Sequence, residues 1–253
     1  MTERYFIQLS YKGTNYHGWQ IQPNANTVQE VLTKALSTIL REDISITGAG
    51  RTDTGVHASF YVAHFNCSKK NLDKDLKLVF KINNFLPKDI AIFRIISVNA
   101  EANARFDATE RTYRYYVHQR KDAFINQTSW YLPIKLDVDL MNKAARLLLQ
   151  YEDFTSFSKL NTDVKTNICH ISETRWTKDD YKLIFTIKAD RFLRNMVRAI
   201  VGTLTDIGKK KITLDEFKQI IDNKNRSDAG ASVPAHGLFL EDIRYPQNIY
   251  NVK

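Results

Sequence analysis

Apolar and polar residues alternate from Tyr5 to Tyr11, the two-residue period of a half-buried strand, and Lys12 to Asn15 interrupts the run as a turn. The period then changes. Val28, Val31, Leu32, Ala35, Leu36 and Ile39 recur at helical spacing, which predicts a helix ending near Arg41, and Thr27 with Glu30 makes a capping-box pair at its start. Runs at Ile44 to Ile46 and Phe60 to Phe65 read as strands, Leu72 to Phe85 as an amphipathic stretch, and Ile90 to Val98 as a further strand. The resulting order, β-α-β-β-α-β, is the split βαβ order of ferredoxin-like folds, an antiparallel sheet with helices on one face.

The second half repeats the theme. Arg111 to Val117 predicts a strand, Leu140 to Leu149 a helix, Ile168 to Trp176 and Leu183 to Ile187 a strand pair, and Phe192 to Ile207 a helix. Thr213 and Glu216 open another helix at capping-box spacing, and Gly237 to Tyr245 supplies a last strand. The expectation is an α+β chain of two ferredoxin-like halves with mixed or antiparallel sheets, residues 1–104 and 105–253. No Gly/Ser or Pro linker separates them, so the halves are expected to pack together.

Composition narrows the function classes. Of 253 residues, 43% are hydrophobic and 26% charged, the balance of a soluble globular chain rather than a disordered or membrane one. Lys plus Arg number 37 against 28 Asp plus Glu, a net charge of +9 that suggests a polyanionic partner. Cys67 and Cys169 lie far apart with no Cys-x-x-Cys pair, so a zinc or redox site is not expected and both read as buried reduced thiols. The first residues lack the apolar core of a signal peptide and no run reaches membrane-spanning length, so a cytoplasmic protein is expected, and the Asn-x-Ser/Thr triplets at Asn66, Asn126 and Asn225 read as chance.

Candidate chemistry concentrates in Gly48-Ala-Gly-Arg51-Thr-Asp53-Thr-Gly55-Val-His57-Ala58, where three glycines flank an arginine and an aspartate. Glycine permits positive φ and close backbone approach, so such a loop can set Asp53 at the floor of a cleft. For an arbitrary Asp-x-Gly, an Asx-turn aspartate would be the better reading. A dinucleotide fingerprint fails because Asp53 occupies the third glycine position, and no Walker-type Gly-Lys-Ser/Thr occurs. Asp53-Thr54-Gly55 also spells the triplet of aspartic proteases, but Arg51 and His57 beside it would disturb the environment a proton-sharing carboxylate dyad needs.

Gly50 to Ala58 resembles the central motif of the TruA family of tRNA pseudouridine synthases. Further blocks resemble that family in the same order: Tyr11 to Thr14, Gly18-Trp19-Gln20, Thr27-Val28-Gln29, Arg105 to Thr109 running into Arg111-Thr-Tyr113-Arg-Tyr115, Asp153 to Phe157, Asn195 to Arg198, and Pro234 to Leu238. The chain departs from the family at Asn103, where a histidine is expected, and at Arg194, a variable position. The resemblance implies a pseudouridine synthase fold with its active-site cleft between the two halves. The implied reaction isomerises uridine in the anticodon stem-loop of tRNA without cofactor or metal, in a homodimer bridged by the RNA.

The same resemblance implies site residues. Asp53 is the essential carboxylate, either a nucleophile on the sugar or base or a general base at C2′. Tyr113 stacks on the flipped base and moves the C5 proton, and Arg198 pairs with Asp53 to keep it ionised and oriented. Period-two geometry puts Arg111, Tyr113 and Tyr115 on one strand face, and helical spacing puts Arg191, Arg194 and Arg198 along one flank of the Phe192 to Ile207 helix. Without the family match, Tyr113 reads as an ordinary sheet-face tyrosine and the three arginines as a solvated flank. Arg51 is the candidate to fill the space a flipped uridine vacates. Arg111, Tyr115, Arg194, Lys209 and Lys210 are further substrate contacts, with Lys69, Lys70, Lys74, Lys77, Lys81, Arg191 and Lys211 as basic surface that could track phosphates. A catalytically silent RNA-binding module on the same fold is the competing class, and Asp53, Tyr113 and Arg198 together argue against it.

Overall fold

The structure is a computed structural model, and it describes residues 2–159 and 166–251. Its contacts divide the chain into two compact units: residues 1–109 with 240–253, and residues 110–239. The chain therefore crosses between units twice. A single boundary at 104/105 places the C-terminal segment elsewhere, because that segment returns to the first unit.

In the first unit the elements are β1 (Glu3–Tyr11), α1 (Val28–Leu40), β2 (Ile46–Gly48), β3 (His57–Cys67), α2 (Leu76–Phe85) and β4 (Ile90–Val98), the order read from the sequence. The strands run antiparallel in the order β4-β1-β3, with β2 added to β3. β1 is not half-buried as its alternation suggests: Tyr5 to Leu9 are all buried, Gln8 included. Position explains this, since β1 lies between two strands and Phe6 is covered edge-on by Tyr245 and Tyr250, at 5.1 and 6.3 Å between ring centroids. α1 begins where Thr27 accepts the Glu30 N–H and stops at Arg41, whose φ of 54° is left-handed. The stretch from Leu72 is two elements rather than one: a short 3₁₀ turn (Leu72–Lys74) precedes α2, and Asp75 between them caps α2 by accepting from Lys77 and Leu78.

The second unit holds β5 (Glu110–His118), β6 (Trp130–Tyr131), α3 (Val138–Leu147), β7 (Ile171–Asp179), β8 (Lys182–Ala189), α4 (Met196–Gly208) and α5 (Leu214–Asp222). β8 pairs antiparallel with both β5 and β7, and the two-residue β6, which the sequence did not signal, lies parallel to β5. The α4 helix starts four residues later than its periodicity suggests, because Asn195 has φ 67° and cannot continue a right-handed helix. Arg191, Leu193 and Arg194 consequently precede the helix, and the arginine-lined flank does not exist. β9 (Leu238–Arg244) follows; from Leu240 it belongs to the first unit, where it neighbours β3. Cys67 and Cys169 are buried free thiols, and among the described residues no helix is long and apolar enough to cross a membrane.

Candidate active site

Asp53 sits at the first position of a tight turn: its carbonyl accepts the Val56 N–H at 3.1 Å, and Gly55 at the third position has φ 78°, which the turn requires and a side chain would resist. The segment before it is fastened on both sides. Thr52 O accepts the Trp19 N–H at 3.3 Å, and Thr52 Oγ1 shares a buried hydrogen bond of 2.8 Å with Tyr11 Oη. The segment after it is held as firmly, since Gly55 N–H donates to Tyr16 O at 3.3 Å and the buried His57 Nδ1 accepts the Gly13 N–H at 2.9 Å.

The glycines of this region do different work. A Cβ on Gly13 would lie 2.0 Å from Val56 O, and one on Gly18 2.3 Å from Thr52 O, so the neighbouring chain approaches the Asp53 loop at backbone distance. Gly48 has no room because Trp19 and Tyr61, stacked at 4.1 Å, lie against it, and Tyr61 Oη donates to Gly50 O at 2.6 Å. Asp53 itself is half-buried, and Arg51 beside it is exposed. Trp19, Tyr61, Thr52 and His57 thus hold the backbone around this loop. In the sequence Trp19 and Thr52 stand only as members of motifs and His57 only as a neighbour of Asp53, and their signal is that aromatic and polar residues cluster around an otherwise small-residue loop.

The second unit carries the other candidate residues. Tyr113 is half-buried on β5 and meets Phe192 edge-on at 5.0 Å. Arg111 Nη1 donates to Asp190 O at 2.6 Å, and the Asp190 carboxylate accepts the N–H groups of His170 and Arg191. Arg198 lies in the first turn of α4, where its Nε donates to Val233 O at 2.7 Å and its own carbonyl accepts the Val233 N–H at 3.3 Å. That bracing fixes the guanidinium plane and leaves the rest of its donor fork to other partners. The strap that provides it packs without space: a Cβ on Gly202 would lie 1.9 Å from Ala231 O. Gly202, a glycine inside a helix, is the sequence signal of this close approach.

Tyr115 is corrected by its surroundings. It is 0% exposed, its hydroxyl donates to Pro234 O at 2.8 Å, and burial pushes that hydroxyl's pKa far up, so it supports the sheet from inside the core rather than touching RNA. Arg194 is exposed ahead of α4, with its carbonyl accepting the Lys159 N–H. Lys209 and Lys210 pair with Asp206 and Asp137 at 3.5 and 3.7 Å, whereas Lys69, Lys70, Lys74, Lys77 and Lys81 are exposed on or before α2.

A family model described as tRNA pseudouridine synthase matches residues 8–107 and 144–246. The chain belongs to this family. Two relatives named tRNA pseudouridine synthase A support the same placement along the whole chain: that of Bacteroides thetaiotaomicron is 54% identical over 252 residues, covering 98% of this chain and 93% of its own length, and that of Bacteroides fragilis is 54% identical over 249 residues, covering 98% of each. A more distant relative of the same name, from Clostridium acetobutylicum, is 42% identical over 241 residues, covering 94% of this chain and 98% of its own length. Family membership confirms the α+β pseudouridine synthase fold and an isomerase class, and it removes the aspartic-protease reading of Asp53-Thr54-Gly55.

Proposed function

We propose that this protein isomerises uridine to pseudouridine in the anticodon stem-loop of tRNA, with Asp53 as its reacting carboxylate. The observation that carries the reading is the match to tRNA pseudouridine synthases over nearly the whole chain, with Asp53 held in a turn fastened on both flanks. In the reaction the N1–C1′ bond of uridine breaks, the detached base rotates, and C5 bonds to C1′; the C5 proton leaves and N1 gains one. A carboxylate suits the first step either by attacking the sugar or base or by taking the C2′ proton. Arg198, with Val233 bracing its Nε, supplies a charged fork suited to hold a carboxylate ionised. Tyr113, with Phe192 against its ring, supplies an aromatic face for the rotating base and a hydroxyl near C5. The exposed Arg51 supplies a side chain long enough to enter the stack that the uridine leaves. Work on the cytoplasmic tRNA pool, in a homodimer whose two subunits share the RNA, belongs to the same proposal.

The test is pseudouridine formation in an unmodified tRNA transcript, mapped by nucleotide, with the unsubstituted protein and Asp53→Asn and without added metal or cofactor. Pseudouridine in the anticodon arm from the unsubstituted protein alone is expected. Tight tRNA binding with no product from either protein would replace the enzyme by a silent RNA binder.

A further inference from the structure

Residues 102–107, in the first unit, form a loop whose backbone is fastened almost residue by residue. Ala102 N–H donates to Asn99 O at 2.9 Å while its carbonyl accepts Arg4 Nη1 at 3.0 Å. Ala104 N–H donates to His64 Nδ1 at 3.0 Å while its carbonyl accepts the Tyr245 hydroxyl at 2.6 Å. Asn103 Oδ1 accepts the N–H groups of both Arg105 and Phe106, at 2.9 and 3.2 Å, and Asp107 Oδ2 accepts the Asn103 N–H at 2.7 Å. Asparagine at 103, the departure from the family pattern, thus performs the clamping itself.

What the clamped loop displays is an aromatic ring. Phe106 is 77% exposed, and the Arg105 guanidinium carbon stands 5.4 Å from the ring centroid. A single exposed phenylalanine on a surface needs no explanation. A phenylalanine held out on hydrogen-bonded backbone, with an arginine over its ring, on a chain of net charge +9, matches what single-stranded RNA recognition uses: an exposed π-face with a cation stacked against it.

We infer that Arg105 and Phe106 form a stacking platform for an unpaired nucleobase of the tRNA, separate from the catalytic loop. The inference rests on the function proposed above. Both features flank β3: the catalytic loop enters at His57, and His64 lies beneath the platform. Seven residues of strand at ~3.3 Å each set them roughly 20 Å apart, so the stacked base is a different nucleotide from the one isomerised. The platform is a positioning contact: it holds the RNA while the reaction proceeds elsewhere, so its loss raises KM and leaves kcat unchanged.

Phe106→Ala and Phe106→Trp, each as the full chain, test this with an unmodified tRNA transcript in binding and steady-state assays. Phe106→Ala is expected to weaken tRNA binding and raise KM by roughly ten-fold or more, with kcat and thermal midpoint unchanged. Phe106→Trp restores the affinity, and its indole emission is quenched when tRNA binds. Unchanged affinity in Phe106→Ala overturns the platform, as does a change in its sedimentation without a change in tRNA affinity. If the unsubstituted protein makes no pseudouridine, the function itself fails; if it does and Phe106→Ala equals it, only the platform fails.

Discussion

His64 accepts a backbone N–H through Nδ1, which a protonated imidazole cannot do, so the fold requires its neutral form. Burial drives its pKa down to about 4, Arg4 pushes in the same direction, and Asp107 opposes them. Because the folded value lies below the unfolded value of 6.5, stability from this group is complete above pH 6.5 and drains as pH falls toward 4, by up to about 3 kcal/mol. Urea midpoints across that window should fall for the unsubstituted chain and fall less for His64→Gln, which keeps an acceptor and cannot titrate. His236, also lowered by burial, retains its share in both. A curve for His64→Gln that matches the unsubstituted one would remove His64 as the cause. None of this was legible in the sequence, where His64 is one polar residue within an apolar strand. The close packing of the loop around Asp53 was legible because glycines mark backbone that must come close, while Tyr115 misled because alternation along a strand tells which residues share a face and not whether that face meets solvent or a core.

At α5 a sequence pattern and a structural device coincide fully. Thr213 Oγ1 accepts the Glu216 N–H at 3.2 Å, and the Glu216 carboxylate accepts the Thr213 N–H at 2.7 Å, which holds that carboxyl below its usual range. Thr213→Ala removes one of these bonds on a surface helix, and should cost about 1 kcal/mol, read as a thermal midpoint lower by roughly 2–4 °C with tRNA affinity unchanged. An unchanged midpoint would mean the cap is idle. Caps and periodicity identified nearly every helix and strand. The misses have local causes: Asp75 restarts the chain after a 3₁₀ turn, and Asn195 delays α4 by adopting a left-handed backbone that apolar spacing cannot report. The two-residue β6 is too short to carry any period.

Across the molecule the excess of nine positive charges sets how RNA is met. Phosphate contacts by lysine and arginine release counterions, so tRNA affinity should fall linearly on a log–log plot against salt; six contacts would cost about a thousand-fold between 50 and 200 mM. A slope near zero in a filter-binding series would refute a phosphate-tracking surface. Charge and family motifs made the partner legible, but the return of residues 240–253 to the first unit was not, since nothing in a terminal strand's own pattern names the strand it will join. That return has a further effect. Among the described residues β4 has only β1 as a strand neighbour, yet its outer rim is occupied at several points: Asn83 from α2 presents its amide to both the N–H and the C=O of Ile92, at 2.7 and 2.9 Å, while the returning tail bonds Ser97 and Asn99. Asn83 imitates the peptide of a missing neighbour. Peptide groups occupied in this way are withheld from a strand of another copy, which limits edge-to-edge pairing along this rim.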